Sequence, residues 1–174
     1  NNKYISIGID HYARYNNSII KKLKNKSLTR NFQGYSEDDS KILLGFGSSS
    51  ISSLPEGYVQ NITNTPEYIE SLKRNKIPIF RGYAFKNKDK MYGTIIRDLM
   101  CYLSVDLHEI DEKFNEENKQ NFLLSELQRV KPFIDKGLVT YKNDILTIDP
   151  YARPLVRTIS SSFDPYFTAN KTKY

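Results

Sequence analysis

Cysteine is nearly absent: a single thiol, Cys101, stands in 174 residues. One cysteine excludes an internal disulfide and a multi-cysteine metal site within this chain. Histidine is almost as scarce. His11 and His108 lie far apart and have no partners at ligand spacing, so no metal site is expected from the residues present. No apolar run approaches the roughly 18–20 residues that span a bilayer, and the start carries no signal-peptide pattern. Neither membrane insertion nor export is expected. The chain begins with Asn1 rather than Met, which reads as an excerpt or a trimmed product.

What is present is a globular composition, 39% hydrophobic and 26% charged, of a length that suits one domain or two small ones. The net charge is +6, and residues 1–30 hold all of it: seven Lys and Arg against the single Asp10. A basic segment of this kind recognises an acidic ligand or nucleic acid, or is the solvated face of a helix. The alternation of these lysines with Ile19, Ile20 and Leu23 fits an amphipathic helix. Cys101 falls among Ile95, Ile96, Leu99, Met100 and Leu103, one apolar helix face, and reads as a small buried core residue.

Along the chain, YISIGI (4–9) predicts a buried strand ending at the charged pair Asp10–His11. Asn16 or Asn17 can cap a helix to about Lys26. ILLGF (42–46) predicts a second buried strand, followed by the small, polar GSSSISS. GYVQN (57–61) predicts another strand. Thr65-Pro66-Glu67 starts a helix with a capping hydroxyl, a first-turn proline and an acid at the positive end of the dipole. A polar hinge, NKDK, follows the apolar run 77–85. Helices are then expected over about 89–103, 107–115 and 117–136, with Gly137 as C-cap. A hairpin turning at Asn143-Asp144 (138–148) and a closing helix over 149–163 complete the pattern. The reading is an α/β part over 1–86 and a mostly helical, winged-helix-like part over 87–174. Two or three buried strands are too few to close a sheet, which points to a missing upstream portion.

Three stretches carry candidate chemistry. RNFQGY (30–35) does not follow a strand or helix period. Gln33 offers two donors and an acceptor, Phe32 a stacking ring, Arg30 a carboxylate fork, and Gly34 a close backbone approach. An ordinary turn built by Asn31 and Gly34 explains the same string. LLGFGSSSIS (43–52) lacks both GxGxxG and the lysine of a phosphate loop; its small residues leave room above a strand end, with Ile51 as an apolar wall. Asp10-His11 suits acid/base or binding work, or simple local hydrogen bonding.

In this order, IGIDHYA (7–13), LTRNFQGYS (28–36), LLGFGSSSIS (43–52), YVQN (58–61) and FRGYAF (80–85) resemble the C-terminal part of the oxygen-independent coproporphyrinogen III oxidases, radical S-adenosylmethionine enzymes. RDLMC (97–101), GLV (137–139) and RPLVRTISSSFD (153–164) extend the resemblance to nearly the whole chain. It implies that residues 1–86 are the end of a partial TIM-like barrel and 87–174 a C-terminal domain. It implies oxidative decarboxylation of coproporphyrinogen III to protoporphyrinogen IX in heme synthesis, in a cytoplasmic monomer. It places Gln33, Ile51 and Phe32 at S-adenosylmethionine; Asp10, His11 and Arg30 are candidates for the substrate. The family's 4Fe-4S iron–sulfur cluster needs three cysteines spaced CxxxCxxC, which this chain lacks. Its ligands are expected upstream, in the missing N-terminal half, leaving no catalytic or metal residue here. The alternative is a non-catalytic heme- or porphyrin-binding relative, or a relic fragment. Nucleic-acid binding is not expected, because the positive charge lies outside the winged-helix-like module.

Overall fold

The computed structural model describes residues 3–86, 88–114 and 119–167, the side chains of 119–124 apart. It opens on a hairpin. β1 (Tyr4–Ile7) and β2 (His11–Arg14) pair antiparallel, with Ile7 opposite His11. The strand expected over 4–9 stops at Ile7 because Gly8 turns into the left-handed region at φ +50°. α1 (Ser18–Lys24) is capped by Asn17, whose side chain accepts from the Ile19 amide at 3.0 Å. Lys21, Lys22 and Lys24 occupy its last turn, at the negative end of the helix dipole. A second, minimal hairpin follows, β3 (Thr29–Arg30) with β4 (Tyr35–Ser36).

Residues 38–87 form one of two compact units. It contains β5 (Ile51–Leu54), β6 (Gly57–Asn61), α2 (Thr65–Lys73) and β7 (Ile79–Ala84), with the sheet ordered β5-β6-β7. The cap of α2 is Asn64, which accepts from the Glu67 amide at 3.0 Å. Thr65, the expected cap, is the first helical residue. ILLGF is not a buried strand. Its one ladder contact is Leu43 with Ser53, and Phe46 is 86% exposed. Conversely, β5 begins inside the small, polar stretch GSSSISS.

The other unit joins residues 1–37 to 88–174. Its later elements are α3 (Asp89–Tyr102), β8 (Ser104–Asp106), α4 (Leu107–Phe114), α5 (Lys119–Ile134), β9 (Val139–Lys142) and β10 (Ile145–Ile148). A 3₁₀ turn (Pro150–Leu155) and α6 (Val156–Ser161) close it. Three strands make one sheet in the order β8-β10-β9. β8 is too short to leave a periodic signal. The β9–β10 hairpin turns at Asn143 (φ +51°) and Asp144 (φ +61°), the left-handed pair that Asn and Asp tolerate best. Gly137 (φ +70°) ends α5 as expected, its amide donating to the Ile134 carbonyl. Asn87 of the expected hinge, residue 115 at the end of one expected helix and residues 117–118 of the next lie outside the described residues.

α3 explains why the first 37 residues belong with the helical part. Ile95, Leu99 and Met100 enter the larger core with Leu107, Val130, Leu146 and Phe163. Cys101, one position on, turns into a second cluster with Ile7, Ile20 and Leu28. The helix is therefore buried on two sides. The smaller unit ends at residue 87, and the stretch 1–86 draws residues from both units. Every described strand pair is antiparallel, so the strand–helix alternation expected over 1–86 does not produce βα units here. The connections within each hairpin are too short for a crossover.

Three polar residues are buried among the described residues, Asp111, Glu126 and Ser160. Glu126 is 2% exposed and accepts from the Tyr92 hydroxyl at 3.1 Å. Arg129 Nε lies 3.1 Å from its other oxygen, an ion pair whose angle falls short of a hydrogen bond, and the guanidinium covers the Tyr92 ring. This pairing is what makes a buried carboxylate tolerable.

Burial raises the Cys101 thiol from 9.0 to about 11 and the Tyr102 phenol from 10.0 to about 12. Both groups are held neutral by the fold. The stability they protect is whole below pH 9 and is lost as pH rises through 11 and 12. The urea midpoint is expected to decline from about pH 9 upward, and Cys101→Ala to delay that onset to about pH 10, where tyrosines begin to ionise. A wild-type midpoint flat to pH 11 would contradict the burial.

Candidate functional site

RNFQGY is a hairpin whose tip is NFQG. The Asn31 amide donates to the Gly34 carbonyl at 2.9 Å, and the Asn31 side chain accepts from the Gln33 and Gly34 amides at 2.8 and 3.2 Å. Gly34 sits at φ +140°, which a side chain rarely adopts. Asn31 and Gly34 therefore do the conformational work. That leaves Phe32, 56% exposed, and the exposed Gln33 at the tip. Arg30 and Tyr35 face one another across the register, with the guanidinium carbon 5.6 Å from the phenol centroid. The Arg30 Nε is buried and makes no hydrogen bond.

The β1–β2 hairpin meets this one at Tyr35. The His11 ring stands edge-on to Tyr35, centroids 5.0 Å apart at 76°. His11 Nδ1 lies 2.8 Å from Asp10 Oδ1. With that proton given to the carboxylate, Nε2 of the neutral ring is an acceptor. A Cβ on Gly34 would fall 3.6 Å from that nitrogen. The fold thus gathers Asp10, His11 and Arg30 around one phenol, on the hairpins that carry Phe32 and Gln33. The Asp10–His11 pair is exposed.

Tyr35 itself went unremarked in the sequence, yet it fixes the arrangement. Its hydroxyl accepts from the Ile9 amide at 3.0 Å and donates to the Met100 carbonyl at 3.0 Å, at the end of α3. Burial raises its pKa, opposed by the Ile9 amide and Arg30. A Cβ on Gly8 would lie inside the Tyr35 hydroxyl and ring, so this position admits only glycine while Tyr35 is present. From the other side, the Arg153 guanidinium donates to the Gly8 carbonyl at 2.8 Å and to the Ser6 hydroxyl.

Ile51 belongs to the smaller unit, where it begins β5 opposite Gln60. The glycine-rich loop before it is closed rather than open. Asn61 Nδ2 donates to the Gly45 and Gly47 carbonyls at 3.1 and 2.9 Å, and the Gly47 amide donates to the Tyr68 hydroxyl at 3.1 Å. A Cβ on Gly45 would meet the Ile51 carbonyl at 2.9 Å. The glycines let the loop fold onto β5 and set Ile51 half-buried at its edge. Asn61 is the organiser that sequence patterns did not mark.

No group of three His, Cys, Asp or Glu able to hold a metal occurs among the described residues. Cys101, the sole cysteine, is buried and neutral. The residues present therefore do not fit an iron–sulfur cluster, which thiolates hold.

No family model matches the chain. Curated relatives do. The oxygen-independent coproporphyrinogen III oxidase of Bradyrhizobium diazoefficiens is 36% identical over 97% of this chain and 37% of its own length. The enzyme of the same name from Synechocystis is 32% identical over 98% of this chain and 37% of its own. Among solved structures, the coproporphyrinogen III oxidase of Escherichia coli, a radical SAM enzyme, superposes with TM-score 0.86 at 28% identity. That match covers 95% of this chain and 38% of that one. The chain thus spans just over a third of the length of the relatives it matches.

The clash at Gly8 is made entirely by Tyr35, so the two positions are coupled. Tyr35→Phe leaves the Ile9 amide without its partner and is expected to cost ~1–3 kcal/mol. Gly8→Ala is expected to cost more in wild type than in a Tyr35→Ala background, where only the left-handed backbone penalty of ~1–2 kcal/mol remains. A double-mutant cycle by urea unfolding measures this; additive effects would show that Tyr35 does not fill the space above Gly8.

Proposed function

Because the chain belongs to the oxygen-independent coproporphyrinogen III oxidase family, corresponding to the C-terminal part of its members, we propose that it serves the oxidative decarboxylation of coproporphyrinogen III to protoporphyrinogen IX. The observation that carries this reading is a structural match of TM-score 0.86 spanning 95% of the chain. S-adenosylmethionine and the iron–sulfur cluster belong to the whole enzyme. The cluster is assigned to the rest of the family's length, since one buried thiol cannot ligate it. We place the working protein in the cytoplasm as a monomer. No helix among the described residues is long and apolar enough to cross a membrane.

In this reading the exposed Gln33 amide and Phe32 ring contact S-adenosylmethionine, one by hydrogen bonds and one by stacking. Ile51 gives an apolar wall. Asp10, His11 and Arg30 are assigned to the carboxylate-rich substrate: Arg30 supplies a cation, and Asp10 orients the His11 imidazole. The order α3-β8-α4-α5-β9-β10, with β10 between β8 and β9, supports a winged-helix-like assignment for 87–174. The end-of-barrel assignment for 1–86 rests on family membership. The described strand pairs are antiparallel, so the parallel part of such a barrel is assigned to the remainder of the enzyme.

The test is anaerobic conversion of coproporphyrinogen III by the full reading frame with its cluster reconstituted. Gln33→Ala and Ile51→Ala are each expected to lower kcat/KM at least tenfold, ~1.4 kcal/mol, with cluster content unchanged. A cluster-loaded protein that cleaves S-adenosylmethionine but never decarboxylates coproporphyrinogen would move the chain to a non-catalytic or differently acting relative.

A further inference from the structure

Beside the β1–β2 turn lies an open recess of about 300 Å³, bordered by the end of α1, the α3–β8 junction and the 3₁₀ turn. Lys24, Lys26 and Arg153 line it with the hydroxyl residues Ser6 and Ser104 and with Cys101. No carboxylate lines it. None of the three cations forms an ion pair among the described residues. The acceptors found for Arg153, the Ser6 hydroxyl and the Gly8 carbonyl, are both neutral. Three basic residues thus line one recess that no carboxylate residue lines.

The backbone adds a second observation. α1 ends on Asn25, and Lys26 then occupies the left-handed position at φ +51°. The Lys26 amide donates to the Leu23 carbonyl and the Ser27 amide to the Lys22 carbonyl. Glycine is the residue that ends helices in this conformation most comfortably. Here a lysine stands instead, at the rim of the cavity. A residue held where glycine would be easier is a mark of function when its side chain has something to bind.

We propose that this cavity is an oxyanion-binding site, recognising a carboxylate or phosphate group through Lys24, Lys26 and Arg153, with the Ser6 and Ser104 hydroxyls as supporting donors. Its volume is at the small end of ligand pockets. It therefore takes one charged group and a short stem rather than a large aromatic ligand. Arg153 has a dual place: it holds the Gly8 carbonyl and so ties occupancy of the cavity to the turn that carries Asp10 and His11. The inference does not depend on the oxidase activity.

The experiment is a titration of the chain with inorganic phosphate and, separately, succinate, followed by backbone amide shifts. Saturable shifts confined to 24–27, 104 and 153 are expected with at least one of the two anions; which one responds distinguishes phosphate from carboxylate recognition. Lys24→Gln together with Lys26→Gly is expected to weaken binding at least tenfold while the protein melts no lower than wild type, because glycine relieves the left-handed position. Shifts that never saturate, that spread over lysines elsewhere in the chain, or that persist unchanged in the double variant would overturn the proposal. Absence of oxidase activity in the cluster-loaded full-length protein, with anion binding retained, would leave the site standing and count against the oxidase reading alone.

Discussion

A single phenolic oxygen joins three segments that are remote in sequence. Tyr35 Oη takes the Ile9 amide and gives its proton to the Met100 carbonyl, spanning 26 residues in one direction and 65 in the other. Its ring occupies the space a side chain at Gly8 would need. Part-buried hydrogen bonds of this kind contribute only ~0.5–1.5 kcal/mol each, yet leaving their partners unmade costs more. Against a total stability of ~5–15 kcal/mol, the joint is a substantial fraction. What it fixes is register: the first hairpin, the second hairpin and the end of α3 are set relative to one another inside one unit.

The consequences run outward from that joint. With Tyr35 pinned, the NFQG turn is held at its base, and Asn31 and Gly34 determine its shape. Phe32 and Gln33 are then presented to solvent on a short, well-bonded tip rather than on a wandering loop. His11 is held against the same ring, and its carboxylate partner precedes it by one residue. Behind the first hairpin, Arg153 grips the Gly8 carbonyl. Cys101 and Tyr102 close the second hydrophobic cluster against α1. The buried polar network at Glu126 serves a different purpose, joining α5 to α3 at Tyr92 within the larger core. The smaller unit has its own organiser in Asn61, whose two hydrogen bonds shut the glycine-rich loop.

Local rules made much of this legible. Asn17 as a cap, the proline and acid at the start of α2, Gly137 and the Asn143-Asp144 turn all act through their immediate neighbours, and the sequence displays them. The turn reading of RNFQGY was legible too, because Asn31 and Gly34 do the conformational work there; Phe32 and Gln33 are exposed at its tip. Readings failed where a distant partner decides the outcome. ILLGF has the apolarity of a buried strand, but Gly45 closes onto the Ile51 carbonyl and leaves Leu43 alone to pair. β8 has three residues and no period to detect. The two-sided burial of α3 cannot be seen in a pattern that shows only one apolar face. Tyr35 was one tyrosine among 13, and nothing local marks the one whose hydroxyl reaches a carbonyl 65 residues away.

Amide hydrogen exchange at Ile9, Gln33 and Gly34, compared between wild type and Tyr35→Phe, tests the central claim most directly. If the phenol is the joint, the Ile9 amide exchanges in wild type only through large-scale opening. In the variant it exchanges orders of magnitude faster, with Gln33 and Gly34 following, while amides in α5 and β9–β10 keep their protection. An Ile9 amide that already exchanges freely in wild type, or that is indifferent to loss of the hydroxyl, would contradict the account.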